Sequence, residues 1–267
     1  MKKLSAVIAL ALTAAFMMAG CSGGTTTTTT TAATTAATEA TTEAKKYIIA
    51  TDTTFAPFEF QDKDGNYVGI DIELLAAIAE DQGFEYELQV LGFNAAVQAL
   101  EASQVDGVIA GMSITEERQL KFDFSDPYFD SGVVMGIAED NDEIKSYADL
   151  EGKKVAVKTG TEGADFAGSI AEEYGFEMVY FDDSPLMYED VKLGNTAACF
   201  EDYPVLGYGI SQGVGLKIVT DKEQGSSYGF ATLKDKTPEL VEMFNAGLAN
   251  VKESGAYQEI LDKYIQK

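Results

Sequence analysis

The stretch Val105–Tyr128, V-D-G-V-I-A-G-M-S-I-T-E-E-R-Q-L-K-F-D-F-S-D-P-Y, decides how the rest of the chain is read. Val108-Ile109-Ala110 is an apolar run of the length of a short buried strand, and Gly111 lets the backbone come close to whatever lies at the strand end. Thr115-Glu116-Glu117-Arg118 then reads as an N-cap followed by an acid-rich first helical turn. This order holds Ser113, Thr115 and the Arg118 guanidinium together at the carboxyl end of a strand. Arg118 is the one arginine among 19 basic residues; the others are lysine. A guanidinium binds a carboxylate through two parallel hydrogen bonds, which an ammonium cannot imitate. The plain alternative is a surface arginine pairing with Glu or Asp, and a chain that otherwise uses only lysine weakens it. The stretch reads as an anion clamp.

Strands and helices alternate on both sides of it. Before it come a strand Tyr47–Asp52, a loop Thr53–Phe60, a hairpin turn at Asp62-Lys63-Asp64-Gly65 and a helix Gly69–Gln82. A strand Tyr86–Leu91, a helix Asn94–Ser103 capped by Asn94, and a strand Val105–Gly111 follow. After it the pattern restarts with strands Val133–Ala138 and Lys153–Thr159, a helix Glu162–Tyr174 and a strand Glu177–Phe181. Ser184 caps a helix to Leu193, a strand Thr196–Phe200 leads into a helix Tyr203–Gln212, and strands Leu216–Thr220 and Tyr228–Leu233 come next. Helices Pro238–Lys252 and Ala256–Tyr264 close the chain. Such alternation predicts right-handed βαβ units and mostly parallel sheets, in two comparable α/β sets.

The first residues read differently. Lys2 and Lys3 precede an apolar run Leu4–Ala19 that ends in Met17-Met18-Ala19-Gly20-Cys21. This is the pattern of a secretory signal, and the run is short for a bilayer-spanning helix of about 20 residues. Ala-Gly-Cys at the cut resembles a bacterial lipoprotein signal, with Met18 where leucine is more usual. That implies loss of residues 1–20 and a lipid on Cys21. Residues 21–44 are almost entirely Thr, Ala and Gly and lack the large apolar groups that offset ordering entropy, so they are expected to form a tether. The expected place is the cell envelope, on the extracytoplasmic side of the membrane.

The formal charge is −25; removing Lys2 and Lys3 with the signal leaves 17 basic and 44 acidic residues, or −27. This argues against nucleic acid or an anionic lipid surface as a partner. The chain has no histidine, which excludes Ser-His-Asp and Cys-His nucleophile systems as such. No GxxxxGK[ST] loop occurs. Gly160-Thr161-Glu162-Gly163 follows a strand and opens a helix, a place suited to an anion but without nucleotide spacing. Scattered carboxylates read as solvated faces rather than a zinc site, so no metal or cofactor is expected.

A-G-M-S-I-T-E-E-R followed by F-S-D-P-Y resembles the signature of the polar amino-acid extracellular solute-binding proteins of ABC importers, over about Tyr47–Lys267. The resemblance implies a type II periplasmic-binding-protein fold: lobe 1 from residues 45–132 plus 227–267, lobe 2 from 133–226, and hinge strands near Ser131–Ala138 and Ser226–Thr232. It also implies a monomer that hands an amino acid to a membrane-embedded permease. Arg118 would grip the α-carboxylate, supported by Gly111, Met112 and Ser113. Phe55 and Phe93 match the aromatic positions that pack around the ligand's aliphatic part, whereas a core role is the first reading for Phe58 and Phe60. Asp202 falls where the ammonium-binding aspartate lies, although Ala197-Ala198 occupies the place of the usual Asp-Ala. Glu201 could replace it, and a helix N-cap is the plain alternative for either. The run V-A-V-K-T-G-T is more like the glutamine-binding members than the histidine-binding ones and brings in Lys158, Thr159 and Thr161. Asp52 offers acceptors and Lys158 donors, which suits a side-chain amide. Two other readings are a cyclohexadienyl-dehydratase-like lyase, for which only Glu201 is available as the acid, and a sensing module for a separate signalling protein.

Overall fold

The computed structural model describes residues 45–265. The signal run, Cys21 and the tether up to Ala44 lie outside the described residues. The chain opens with strand β1 (Lys46–Thr51), the short hairpin β2 (Phe60–Gln61) and β3 (Tyr67–Val68), and helix α1 (Ile70–Gln82). Next come β4 (Glu85–Val90), α2 (Phe93–Glu101), β5 (Gly107–Val108), the one-turn helix α3 (Glu116–Gln119) and β6 (Phe122–Phe124). A long strand β7 (Phe129–Ala138) leads into β8 (Lys154–Lys158), α4 (Glu162–Tyr174), β9 (Glu177–Phe181), α5 (Ser184–Lys192), β10 (Ala198–Asp202), α6 (Tyr203–Ser211) and β11 (Leu216–Ile218). Strands β12 (Glu223–Tyr228) and β13 (Ala231–Leu233) precede α7 (Pro238–Glu253) and α8 (Ala256–Tyr264).

Two sheets result, one in each lobe. The first has the order β4-β1-β5-β13-β6, with β4 and β5 parallel to β1 and β13 antiparallel. The second has the order β11-β7-β10-β8-β9, with β12 beside β11 along the same edge of β7. Successive strand residues face opposite sides, and both sheets are therefore buried on both faces. Val155 and Val157 join Met135 and Phe200 on one face, while Ala156 joins Val134 and Cys199 on the other. In the first sheet, Ile49 and Ile109 pack under α1 and α7, against Leu74, Ile78, Leu240 and Phe244. β7 and β12, paired antiparallel, carry the chain into and out of the second lobe.

Three local expectations are corrected. Helix α2 starts at Phe93, not after Asn94: Gly92 precedes it at φ +84°, and the Asp52 carboxylate takes the Phe93 N–H at 3.1 Å. Asp183, not Ser184, caps α5, its Oδ1 accepting from Leu186 N–H at 2.8 Å. The strand expected over Val105–Gly111 keeps ladder geometry only at Gly107–Val108. Beyond it the chain turns left-handed at Gly111 (φ +53°) to enter the clamp.

Candidate functional site

The clamp loop runs from the end of β5 along Tyr228. Gly229 N–H donates to the Met112 carbonyl at 3.0 Å and Ile114 N–H to the Ser227 carbonyl at 2.8 Å. Gly111 is required here: a Cβ would lie 2.4 Å from the Phe55 ring, on a backbone that side chains disfavour. Thr115 Oγ1 caps α3 by accepting the Arg118 N–H at 3.2 Å. The cap aims the guanidinium back across the loop. Its Nη1 donates to the Ser113 carbonyl at 2.9 Å, and its Nη2 reaches the other lobe, to the Gly160 carbonyl at 3.0 Å. The guanidinium carbon sits 5.4 Å from the Phe93 ring centre.

A narrow cleft with about 10 Å³ of free space lies between the lobes at this point. Phe55, Phe93, Gly111, Ser113 and Arg118 line it from the first lobe, and Lys158, Thr161 and Asp202 from the second. These are eight of the twelve ligand-contacting positions expected from the sequence. The free space is room for about one water molecule, so the lobes as they stand would have to part to admit an amino acid.

The other four lie elsewhere. Met112 is fully buried in the core beneath the first sheet. Thr159 turns its hydroxyl to the Phe181 carbonyl at 3.1 Å. Glu201 is buried on the α5 side of the second sheet, where Ser184 Oγ (2.7 Å), Tyr188 Oη (3.0 Å) and the Asp202 N–H (2.9 Å) all donate to it. Strand alternation is the reason: Glu201 shares the face of Cys199, and Asp202 the opposite one. Asp52 does not line the cavity either. Asp52 and Lys158, expected to meet at the far end of a ligand, pair with each other across the lobes, both buried. Asp52 Oδ1 is meanwhile occupied by the amides of Thr53 and Phe93.

Lys158 stands 4.6 Å from the Phe55 ring centre. Burial pulls its pKa down, but the Asp52 and Glu201 carboxylates outweigh this, and it ends above the usual lysine value. Asp202 moves the other way: burial first, then the Glu201 charge beside it, push its carboxyl up to about 8. Tyr228 Oη donates to Asp202 Oδ2 at 2.6 Å, and Ser131 Oγ donates to Tyr228 Oη at 3.1 Å.

Three participants were not found from the sequence. Ala110 and Glu162 also line the cavity. Glu162, the first residue of α4, accepts from Ser226 Oγ at 2.7 Å. Tyr228 supports Asp202 from the return strand. A carboxylate directly after the Thr161 cap was a usable signal for Glu162; nothing local marked Tyr228.

Two α/β lobes joined by paired strands, with a charge-lined cleft between them, define a solute-binding protein of the type II periplasmic class. The chain belongs to the bacterial extracellular solute-binding proteins, family 3, whose family model matches residues 47–267. It is 32% identical over 226 residues to the arginine-binding extracellular protein ArtP of Bacillus subtilis (strain 168), covering 83% of this chain and 86% of that one. Substrate-binding domain 2 of Lactococcus lactis GlnP, in an open conformation, is 41% identical over 84% of this chain and 97% of its own, with a TM-score of 0.59. An ancestral arginine-binding protein bound to arginine is 37% identical over 82% of this chain and 98% of its own, with a TM-score of 0.76. The less identical but ligand-bound protein superposes better. This agrees with lobes that already meet through Arg118–Gly160 and Lys158–Asp52.

Proposed function

We propose that this chain captures a polar amino acid, glutamine first, between its lobes and delivers it to an ABC import permease. The observation that carries this reading is the arrival of Arg118 and Asp202 from opposite lobes at one cleft that Phe55 and Phe93 also line. A zwitterion needs one partner of each sign, and a ligand that bridges the two lobes favours the closed state through differential affinity. Apolar walls exclude water and strengthen both contacts.

The far end of the ligand meets Lys158 already neutralised by Asp52. A cationic side chain would face an ammonium that occupies the Asp52 and Phe55 positions it would need, and an anionic one would bring an unbalanced charge to a neutral pair. A neutral amide can accept from a free Lys158 N–H without either cost. A hydrocarbon would leave that N–H unpaired, at about 1–3 kcal/mol. Glutamine is therefore expected to bind more tightly than glutamate, arginine or leucine in one calorimetric series, and Lys158→Met is expected to compress the differences. Arginine or leucine outcompeting glutamine would overturn this specificity element.

Delivery further requires retention at the membrane, which we assign to a lipid on Cys21 at the head of the tether. Cys21→Ser is expected to release the protein into the soluble fraction with ligand affinity unchanged; equal membrane retention would remove the anchor.

A further inference from the structure

Beneath the clamp, two carboxyl groups are buried together in the first lobe. Glu59, from the loop after β1, and Asp71, from the first turn of α1, are both fully inaccessible. Asp71 Oδ2 accepts twice, from the Gly111 N–H and from Tyr128 Oη, each at 2.8 Å. Asp71 Oδ1 and both Glu59 oxygens are buried with no hydrogen-bond partner among the described residues, and the Asp71 N–H donates to the Phe58 carbonyl at 2.9 Å, which holds Asp71 beside the Glu59 backbone.

As two carboxylates, the pair would place two like charges in contact in the core with lone pairs unmatched, a state that burial makes costly. One proton resolves all of it. Asp71, already accepting two donors, is the member suited to keep the charge, and Glu59, with none, is the member suited to carry the hydrogen. The charged and titratable groups facing the pair are Asp52, Lys158, Tyr128 and Tyr257. Lys158 is paired to Asp52, so these two together bring no net charge. Burial and then the Asp71 charge hold the Glu59 carboxyl well above the usual range, in agreement with the geometry.

We propose that Glu59 is a positioning residue of the binding site: protonated, it donates to Asp71 Oδ1, and through Asp71 it fixes the Gly111 amide and the Gly111–Ser113 turn that anchors Arg118. The path is continuous. Gly111 lines the cavity against Phe55, and the Ser113 carbonyl takes Arg118 Nη1. Loss of the Glu59 proton would leave Asp71 Oδ1 without its donor, put a second negative charge behind the Gly111 amide and loosen the turn.

The affinity part of the test rests on the amino-acid-binding reading, and a spectroscopic part does not. In the unliganded protein at neutral pH, infrared difference spectra are expected to show a protonated carboxylic acid that shifts on ¹³C-glutamate labelling and is missing in Glu59→Gln. For affinity, Glu59→Gln keeps a neutral donor and is expected to bind glutamine within threefold of the parent at pH 7. Once the pH is high enough to ionise Glu59, the parent is expected to weaken relative to the variant by tenfold or more. The ratio of the two cancels the titration of the ligand and of Asp202. Glu59→Leu, which leaves Asp71 Oδ1 unmatched, is expected to lose at least tenfold at pH 7. Absence of the protonated band, or a folded Glu59→Gln that has lost more than tenfold at pH 7, would overturn the proposal. If no amino acid binds the parent while the band is present, the ligand reading fails and the shared proton stands. If Glu59→Gln does not fold, the labelled parent spectrum decides alone.

Discussion

The two walls of the cleft hold their charges in different ways. On the first-lobe side, Arg118 projects from a one-turn helix, and its hydrogen bonds run to the backbone carbonyls of Ser113 and Gly160. A guanidinium keeps its charge at any working pH. On the second-lobe side, Asp202 is buried at the end of β10 beside Glu201, and its carboxyl is pushed up to about 8. Before a ligand arrives this group holds a proton at neutral pH. Under the proposed function, one end of a zwitterion would be met by a permanent charge, and the other by a group that has to ionise in order to bind. Fixed recognition should respond to geometry, and conditional recognition to pH.

The largest expected effect comes from breaking the fixed half. Arg118→Lys keeps the charge but loses the fork, and about 2–3 kcal/mol of affinity should go with the broken charge-assisted bonds. The thermal midpoint of the unliganded protein should move much less, because the side chain's own partners are two backbone carbonyls at the cleft. Calorimetric affinity within twofold of the parent would remove Arg118 from the carboxylate role.

The conditional half should be visible without any mutation. An ammonium ligand requires ionised Asp202, so binding near pH 7 should release a proton, measurable as a dependence of the binding enthalpy on buffer. Affinity should rise about tenfold from pH 6 to pH 7 and flatten above about 8. Without ligand the sign is opposite. The folded protein holds a proton that the unfolded aspartate gives up near about 3.9, so this group's contribution to stability falls as pH rises through about 8. Asp202→Asn should flatten both profiles. A parent affinity that is level from pH 6 to 8 would place the ammonium elsewhere.

The same contrast explains what was legible in the sequence. The clamp could be read locally: a strand, a glycine, a cap and a lone arginine lie within 11 residues of one another, and the fold keeps them together. Elements with clear periodicity kept their bounds, as α4 and β9 did. The second wall depended on facts that no local pattern carries. Choosing between Glu201 and Asp202 required knowing which face of β10 meets α5. Asp52 and Lys158 are 106 positions apart, and that they bond to each other is visible only once the lobes meet. Long-range pairing was what the sequence withheld.

The smallest expected effect is also the most discriminating one. Tyr228 lies on β12 and Ser131 on β7, so the chain Ser131–Tyr228–Asp202 ties the conditional carboxyl to both strands that connect the lobes. The Tyr228 ring packs edge-on to Phe58 at 4.9 Å, and Tyr228→Phe leaves that contact in place while deleting only the hydroxyl. The hydroxyl donates to Asp202 and so favours its ionised form; without it the carboxyl should hold its proton more tightly. Glutamine affinity at pH 7 should then fall by about 1 kcal/mol, the value of one hydrogen bond, and the whole pH profile should shift upward. The gap should close at high pH, where Asp202 ionises with or without the hydroxyl. A deficit of the same size at every pH would mean that Tyr228 acts through packing of the connecting strands. No deficit at all would mean that Asp202 draws its support from the ligand alone.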